Sequence, residues 1–448
     1  MSIPSLHRKF THAIAWNALE AIPYQLILAL HNMALFAIIG AQAYGQIGTL
    51  FSFIFLAVGL ANLGFDAALP LFFADAQISK THYKKIIGYH YMPTLCALAL
   101  LVIVLPFLLK MGHLLTPSLS VLCLSALIVV ETLKKGARTL LHGAFYNQQT
   151  ALIELFQVVI YVLLVWTAYW SGQPLDTIRI CGTLLCVSTL CLSMLSYYVY
   201  RFYDSLPDQA PISNMPVIAY SVVRQRSYTT IISLSHQFFS SNALVPLFAY
   251  TFGLAAAGML KLVGTIAHGA LICIQKIFCS SSDALFAQLK YDKLHDKQQA
   301  FFFVTNHLHA TLYGIILFTI FLMSWLYTSN KSILYDTSFM YALLCLILYV
   351  SEQFFSTYER FFIAQHRTGQ LMLFTIFTLT SLYAIIWYVP ASNPVTMLQL
   401  VLCVRIISGI LLSGCAWLWW GIRPQAQVNL FYLFGTLAIS CICFLIIK

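Results

Sequence analysis

Apolar runs of about 20 residues or more recur along this chain with only short polar breaks, and that length is what the hydrocarbon core of a bilayer demands of a helix. Twelve such runs stand at roughly 12–38, 44–74, 83–109, 117–145, 149–171, 177–200, 226–250, 254–287, 300–327, 333–364, 368–389 and 396–421, and a further run at 427–447 makes a thirteenth. In lipid every backbone N–H and C=O must be satisfied inside its own segment, so the runs are read as helices. Composition agrees. Of 448 residues, 60% are hydrophobic and only 8% charged, with a mean hydropathy of +0.83; soluble domains carry about 25% charged residues. The longest polar gap, 201–226, is rich in proline (Pro207, Pro211, Pro216) and reads as a linker. The N-terminal run is kept as a spanning helix, because Glu20 and Pro23 interrupt it and no clean small-residue cleavage site follows. The expected architecture is an all-α integral membrane protein of about 12–13 transmembrane helices. Residues 1–200 form a six-helix lobe, 201–225 a cytoplasmic linker, 226–421 a second six-helix lobe, and 422–448 hold an extra helix.

Lysine and arginine placement orients these helices. With the N-terminus in the cytoplasm, thirteen of the 24 Lys and Arg residues fall in cytoplasmic segments, four in external segments and seven at membrane depth. The cations at depth (Lys134, Lys135, Arg138, Lys261, Lys276, Arg360, Arg405) are matched in number by acids: Glu20, Asp66, Glu131, Glu154, Asp283, Glu352 and Glu359. The formal net charge of +10 therefore sits in the loops. There it reports topology and contact with anionic lipid, not nucleic acid. No arginine- or aromatic-rich nucleic-acid module is present. The twelve cysteines are scattered through apolar runs without zinc-site spacing. They read as small packing residues, with no metal site or cofactor.

The two sets of six runs resemble each other. AYGQIGTL (43–50) precedes a long helix in the first set, and TFGLAAAGMLKL (251–262) does so in the second; Tyr44-Gly45 and Phe252-Gly253 match at an offset of 208. FYNQQT (145–150) and IAQHRT (363–368) close the fourth and tenth runs at an offset of 218. Six helices return the chain to the same side of the membrane, so the halves are expected to be parallel repeats about an axis along the membrane normal. Repeats of this kind are a transporter pattern, with the substrate path at their interface.

The stretch AQAYGQIGTLFSFIFLAVGLANLGFDAALPLFFAD (41–75) resembles the first loop and second helix of polysaccharide flippases. These are the O-antigen and teichoic-acid exporters of the multidrug/oligosaccharidyl-lipid/polysaccharide exporter superfamily. Tyr44-Gly45 at the start of the helix and the Leu63-Gly64 turn before its end carry the likeness, and 251–289 is similar to the corresponding eighth helix. The resemblance implies two lobes around a central cavity and ion-coupled alternating access. It implies outward flipping of an undecaprenyl-diphosphate-linked oligosaccharide across a bacterial inner membrane. Membrane lipids and a glycan polymerase or glycosyltransferases are the implied partners. Drug/cation antiporters share the superfamily and stand as the alternative. A polymerase or ligase of the same pathway is disfavoured, since such enzymes present a large external loop and the external loops here are about ten residues or fewer.

A diphosphate and a field of glycan hydroxyls call for fixed cations together with amide, hydroxyl and aromatic groups. The fourth run carries the densest charge. Glu131, Lys135, Arg138 and His142 stand at i, i+4, i+7 and i+11 and share one helix face. Lys135 is the i+4 partner for Glu131, and Lys134 adds a further cation. Arg138 and His142 also suit snorkelling to head groups. The eighth run bears a polar stripe of Lys261, Thr265, His268 and Gln275; the twelfth bears Arg405 near Ser408. Arg138, Lys135, Lys134, Lys261, His268 and Arg405 are thus the substrate-path candidates. The gate or ion-coupling candidates are Glu131, Glu20 beside Asn17 and Gln25, Glu352 and Glu359 with the adjacent Arg360, and His236. A carboxylate at depth either exchanges a proton in each cycle or pairs with a cation from another helix. Arg138 is expected to receive a diphosphate or to close an ionic gate against the tenth run.

Overall fold

A single glycine, not a loop, separates the first two spanning runs. In the computed structural model residues 3–62 form one continuous element, α1 (Ile3–Asn62), bent at Gly40, where φ is 79° and ψ 165°. That conformation is open at no steric cost only to a residue without Cβ. The structure describes residues 3–65, 79–111, 118–144, 146–208, 224, 226–233, 237, 241–274, 301, 305, 308, 344, 347–348, 358–363, 368–388 and 394–420. The further helices are α2 (Lys80–Met111), α3 (Ser118–Gly143), α4 (Asn147–Trp170), α5 (Thr177–Asp204), α6 (Ser241–Phe252), α7 (Leu254–Ile274), α8 (Thr368–Tyr388) and α9 (Pro394–Trp420). The run at 427–447, most of 300–364 and the linker residues 209–223 lie outside the described residues. So do His236 and Glu352.

Helices long and apolar enough to cross a membrane are found at Ile14–Asn62, Lys80–Pro106, Asn147–Trp170, Thr177–Asp204 and Pro394–Ala416. Large apolar side chains such as Leu100, Ile103 and Leu122 stand exposed on the outside of the bundle, as a hydrocarbon solvent allows. The second run contains the turn expected at Leu63-Gly64, with φ of 43° and 71°, and residues 66–74 lie outside the described residues. The Thr230 hydroxyl donates to the Leu63 carbonyl at 2.7 Å, tying the turn to the start of the second half.

The arm of α1 beyond Gly40 is the core of the first half. Leu50, Ile54 and Val58 pack with Leu98 and Leu105 of α2 and with Leu124, Leu127 and Ile128 of α3. Tyr44 and Ile47 pack instead with Ile153 and Tyr161 of α4 and with Val187, Cys191 and Leu195 of α5. The buried cysteines behave as small apolar packing residues.

The same arm crosses α7 at van der Waals distance. A Cβ on Gly45 would collide with the Leu254 carbonyl oxygen and lie 3.0 Å from Gly258 N. A Cβ on Gly258 would collide with the Ala41 carbonyl oxygen and lie 3.0 Å from Gly45 N. The two contacts are the same contact exchanged, the signature of an isologous two-fold interface. They fix the register of the internal repeat at 213 residues, with Ala41 equivalent to Leu254 and Gly45 to Gly258. The bend glycines obey it too. Gly40 and Gly253, at φ 79° and 89°, are also 213 apart. The dipeptide match at 208 is therefore displaced by five residues. It paired a packing glycine, Gly45, with a bend glycine, Gly253.

Candidate substrate cavity

A cavity of about 150 Å3 lies beside this crossing, walled by α1, α4, α5 and α7. Its polar lining comprises Tyr24, His31, Asn32, Tyr44, Gln157, Tyr161, Lys261 and Thr265. The bend at Gly40 folds the two arms of α1 toward each other. Across it the Tyr44 hydroxyl donates to Asn32 Oδ1 at 2.7 Å, and Asn32 Nδ2 donates to the Leu28 carbonyl at 2.7 Å. His31 accepts at Nδ1 from Trp166 Nε1 at 3.1 Å and stands edge-on to Tyr161. From the opposite half, Lys261 reaches over Gly48 and donates from Nζ to Ser52 Oγ at 3.2 Å.

The dense charge of the fourth run sits one layer behind this cavity. Glu131 and Lys134, both buried, are paired at 2.7 Å. Lys134 also donates to Gln157 Oε1 at 3.0 Å, Gln157 Nε2 donates to Ser188 Oγ at 3.1 Å, and the Ser188 hydroxyl donates back to Glu131. This closes a ring between α3, α4 and α5. A turn further along α3, Arg138 pairs with buried Glu154 of α4 at 3.7 Å. Its Nε donates to His142 Nε2 at 3.3 Å, and His142 Nδ1 lies 3.0 Å from Asn147 Oδ1. Charges at this depth persist only when paired in this way. Glu131 finds its partner at i+3, in Lys134, and not at i+4 in Lys135, which is half-buried. Arg138 thus meets a carboxylate of its own half, while the stretch of the tenth run that bears Glu352 lies outside the described residues.

The remaining candidates are spread over the molecule. Lys261 lines the cavity. His268 lies on α7, two turns beyond Lys261, with its side chain outside the described part. Glu20 is buried on α1, one turn from Tyr24. Arg405 of α9 is buried and pairs at 3.7 Å with Glu359, the neighbour of Arg360 in the helical stretch 358–363. His31, Asn32, Gln157 and Tyr161 were missed as cavity residues. A signal existed: Asn17, Glu20, Tyr24 and His31 recur at i, i+3, i+7 and i+14, the same kind of polar stripe that drew attention to the eighth run. Glu154, Gln157 and Tyr161 form another at i, i+3 and i+7.

No protein-family profile and no curated protein matches the sequence. Solved structures do. An outward-facing multidrug resistance MATE family transporter of the MOP superfamily aligns with a TM-score of 0.62 over 96% of each chain at 13% identity. The fold is that of the MOP-superfamily transporters. MATE in complex with MaD5 gives a TM-score of 0.61 at 14% identity over 97% of each chain. A MOP superfamily transporter from Pyrococcus furiosus Vc1, reported for the reverse polarity of its binding pocket, gives 0.56 at 12% identity over 96% of each chain. The fold is thus a multi-pass, two-lobed helical membrane architecture, and the isologous crossing of α1 and α7 joins its two halves.

Proposed function

We propose that the chain is a membrane transporter, not an enzyme, and that it flips an undecaprenyl-diphosphate-linked oligosaccharide between leaflets by alternating access. One observation carries the choice of substrate. No aspartate or glutamate stands among the described lining residues, and the cation among them is Lys261. The carboxylates nearest on α3 and α4 are committed to Lys134 and Arg138. A cavity of donors and aromatic faces suits phosphate and sugar oxygens. The resemblance of 41–75 to polysaccharide flippases supports the same reading. At about 150 Å3 the cavity is smaller than the ~300–1,000 Å3 of typical ligand pockets. It is sized for the head group, and a glycan requires the halves to part at the Gly45–Gly258 crossing. Glu20, buried in the wall helix, is the ion-coupling candidate.

The second reading is a drug/cation antiporter. It is favoured by the multidrug resistance transporter among the structural neighbours. The Pyrococcus neighbour's reversed pocket polarity accords with a fold that serves substrates of either charge. Binding to the purified chain in nanodiscs separates the two. Undecaprenyl-diphosphate-linked oligosaccharide is expected to bind, and Lys261→Ala to weaken it about tenfold, the cost of one hydrogen bond to a charged group. Binding of tetraphenylphosphonium with no binding of the lipid-linked glycan would transfer the assignment to the antiporter.

A further inference from the structure

His31 is only 3% exposed and stands in the cavity wall, yet the transport reading gives it no task. Its two ring nitrogens have different duties. Nδ1 faces the indole Nε1 of Trp166 at 3.1 Å. An indole N–H donates and never accepts, so Nδ1 is the acceptor and carries no proton. The neutral imidazole then carries its proton on Nε2. Tyr161 and Trp166 stand edge-on to the ring at 5.4 and 5.9 Å, which holds its plane as well as its tautomer. Nε2 meets no hydrogen-bond partner among the described residues.

The two amide oxygens of the wall each already accept a hydrogen bond. Asn32 Oδ1 accepts from Tyr44, and Gln157 Oε1 accepts from Lys134. Donors remain at His31 Nε2–H, the second amide hydrogen of Asn32 and the Lys261 N–H groups beyond the one given to Ser52, beside the Tyr161 and Thr265 hydroxyls, which serve in either direction. An occupant that satisfies them brings acceptor oxygens.

We propose that His31 is a specificity-determining residue, a fixed hydrogen-bond donor that reads an acceptor oxygen of the occupant, with Trp166 as the positioning residue that sets its tautomer. The inference rests on the lipid-linked-oligosaccharide reading above. The oxygen belongs either to the diphosphate or to the glycan, and the two sources are separable by experiment.

The test uses the full chain in nanodiscs with two probes, undecaprenyl diphosphate and undecaprenyl-diphosphate-linked oligosaccharide. His31→Leu is expected to weaken binding about tenfold. His31→Gln, whose amide N–H takes the place of Nε2–H, is expected to recover most of the loss. Weakening on both probes assigns the phosphate oxygen, and weakening confined to the sugar-bearing lipid assigns a glycan oxygen. Histidine 15N spectra provide a readout that a packing role would not move. With His31 assigned by its loss in His31→Gln, the wild type is expected to show the Nε2–H tautomer, and Trp166→Phe a mixture. Unchanged binding of both probes by His31→Leu overturns the proposal, as does an Nδ1–H tautomer in the wild type. Wild-type protein that binds neither lipid sinks the transport reading itself and the donor's occupant with it, a result distinct from a His31 failure. Should the leucine variant not fold, the glutamine variant and the wild-type spectrum still decide.

Discussion

The arm of α1 beyond Gly40 and helix α7 are the same element met twice, and they differ most where they touch. Gly45 and Gly258 exchange the same contact across a pseudo-two-fold axis. One turn further the symmetry fails. The counterpart of Gly48, 213 residues on, is Lys261, and a Cβ on Gly48 would sit 2.9 Å from Lys261 Cγ. One half supplies space and the other fills it with a lysine whose ammonium reaches Ser52. Duplicated helices thus build a symmetric hinge line, and a single asymmetric pair turns the cavity beside it cationic.

The largest expected effect falls on the symmetric part. Gly45→Ala and Gly258→Ala each drive a methyl into a backbone carbonyl, an overpacking that costs about 1–3 kcal/mol. Thermal unfolding of the purified protein in detergent is expected to show closely similar losses for the two. Because they share one contact, the double variant should lose less than the sum. A large loss at one glycine with none at the other would break the two-fold account of the crossing.

Gly48→Ala probes the asymmetric pair. The atoms it meets belong to a flexible lysine stem, which can yield where a carbonyl cannot, so the expected stability loss is about 1 kcal/mol or less. Binding of undecaprenyl-diphosphate-linked oligosaccharide is expected to fall nonetheless, as the ammonium is pushed from its place. Instability equal to that of Gly45→Ala with unaltered binding would show that Gly48 is merely one more seam glycine.

The runs of about 20 apolar residues made the helical membrane fold legible, because bilayer thickness leaves few alternatives. The order of the repeat was legible as well. Its register was not, because the backbone conformation that makes Gly40 and Gly253 equivalent is invisible in a string of letters, whereas Tyr44-Gly45 and Phe252-Gly253 look alike. Within the charged stripe of 118–147 the partner of Glu131 is Lys134, where the i+4 spacing had favoured Lys135. Lys134 and Lys135 flank the Glu131 line about equally on a helix. The Gln157 and Ser188 side chains of α4 and α5 complete a ring with the former. Lys261 apart, the described charges at membrane depth mark where helices are held together, and the cavity is marked by scattered neutral polar residues on α1 and α4. Their stripes at helical spacing are visible in the sequence, but that they share one wall follows only from the bend at Gly40, which brings Asn32 and Tyr44 together.

The smallest effects test whether the repeat's equivalent hydroxyls have parted in role. Ser52 and Thr265 are 213 residues apart, and both serve Lys261. Ser52 Oγ accepts from the ammonium at 3.2 Å, whereas Thr265 Oγ1 donates to the Lys261 carbonyl at 2.7 Å within its own helix. Side-chain hydrogen bonds in membranes average about 0.6 kcal/mol, so Ser52→Ala is expected to lower stability by that order. It also frees the ammonium to swing, and should weaken lipid-linked glycan binding by a few-fold, on the order of what such a bond is worth. Thr265→Val removes a bond back to the preceding turn, which contributes little to a helix, and a side-chain contact with the Tyr44 hydroxyl, but neither holds the Lys261 ammonium. It is expected to lower stability no more than Ser52→Ala does and to leave binding within error. If Thr265→Val weakened binding as much as Ser52→Ala, the two hydroxyls would still be acting as a symmetric pair, and Lys261 alone would carry the asymmetry of the cavity.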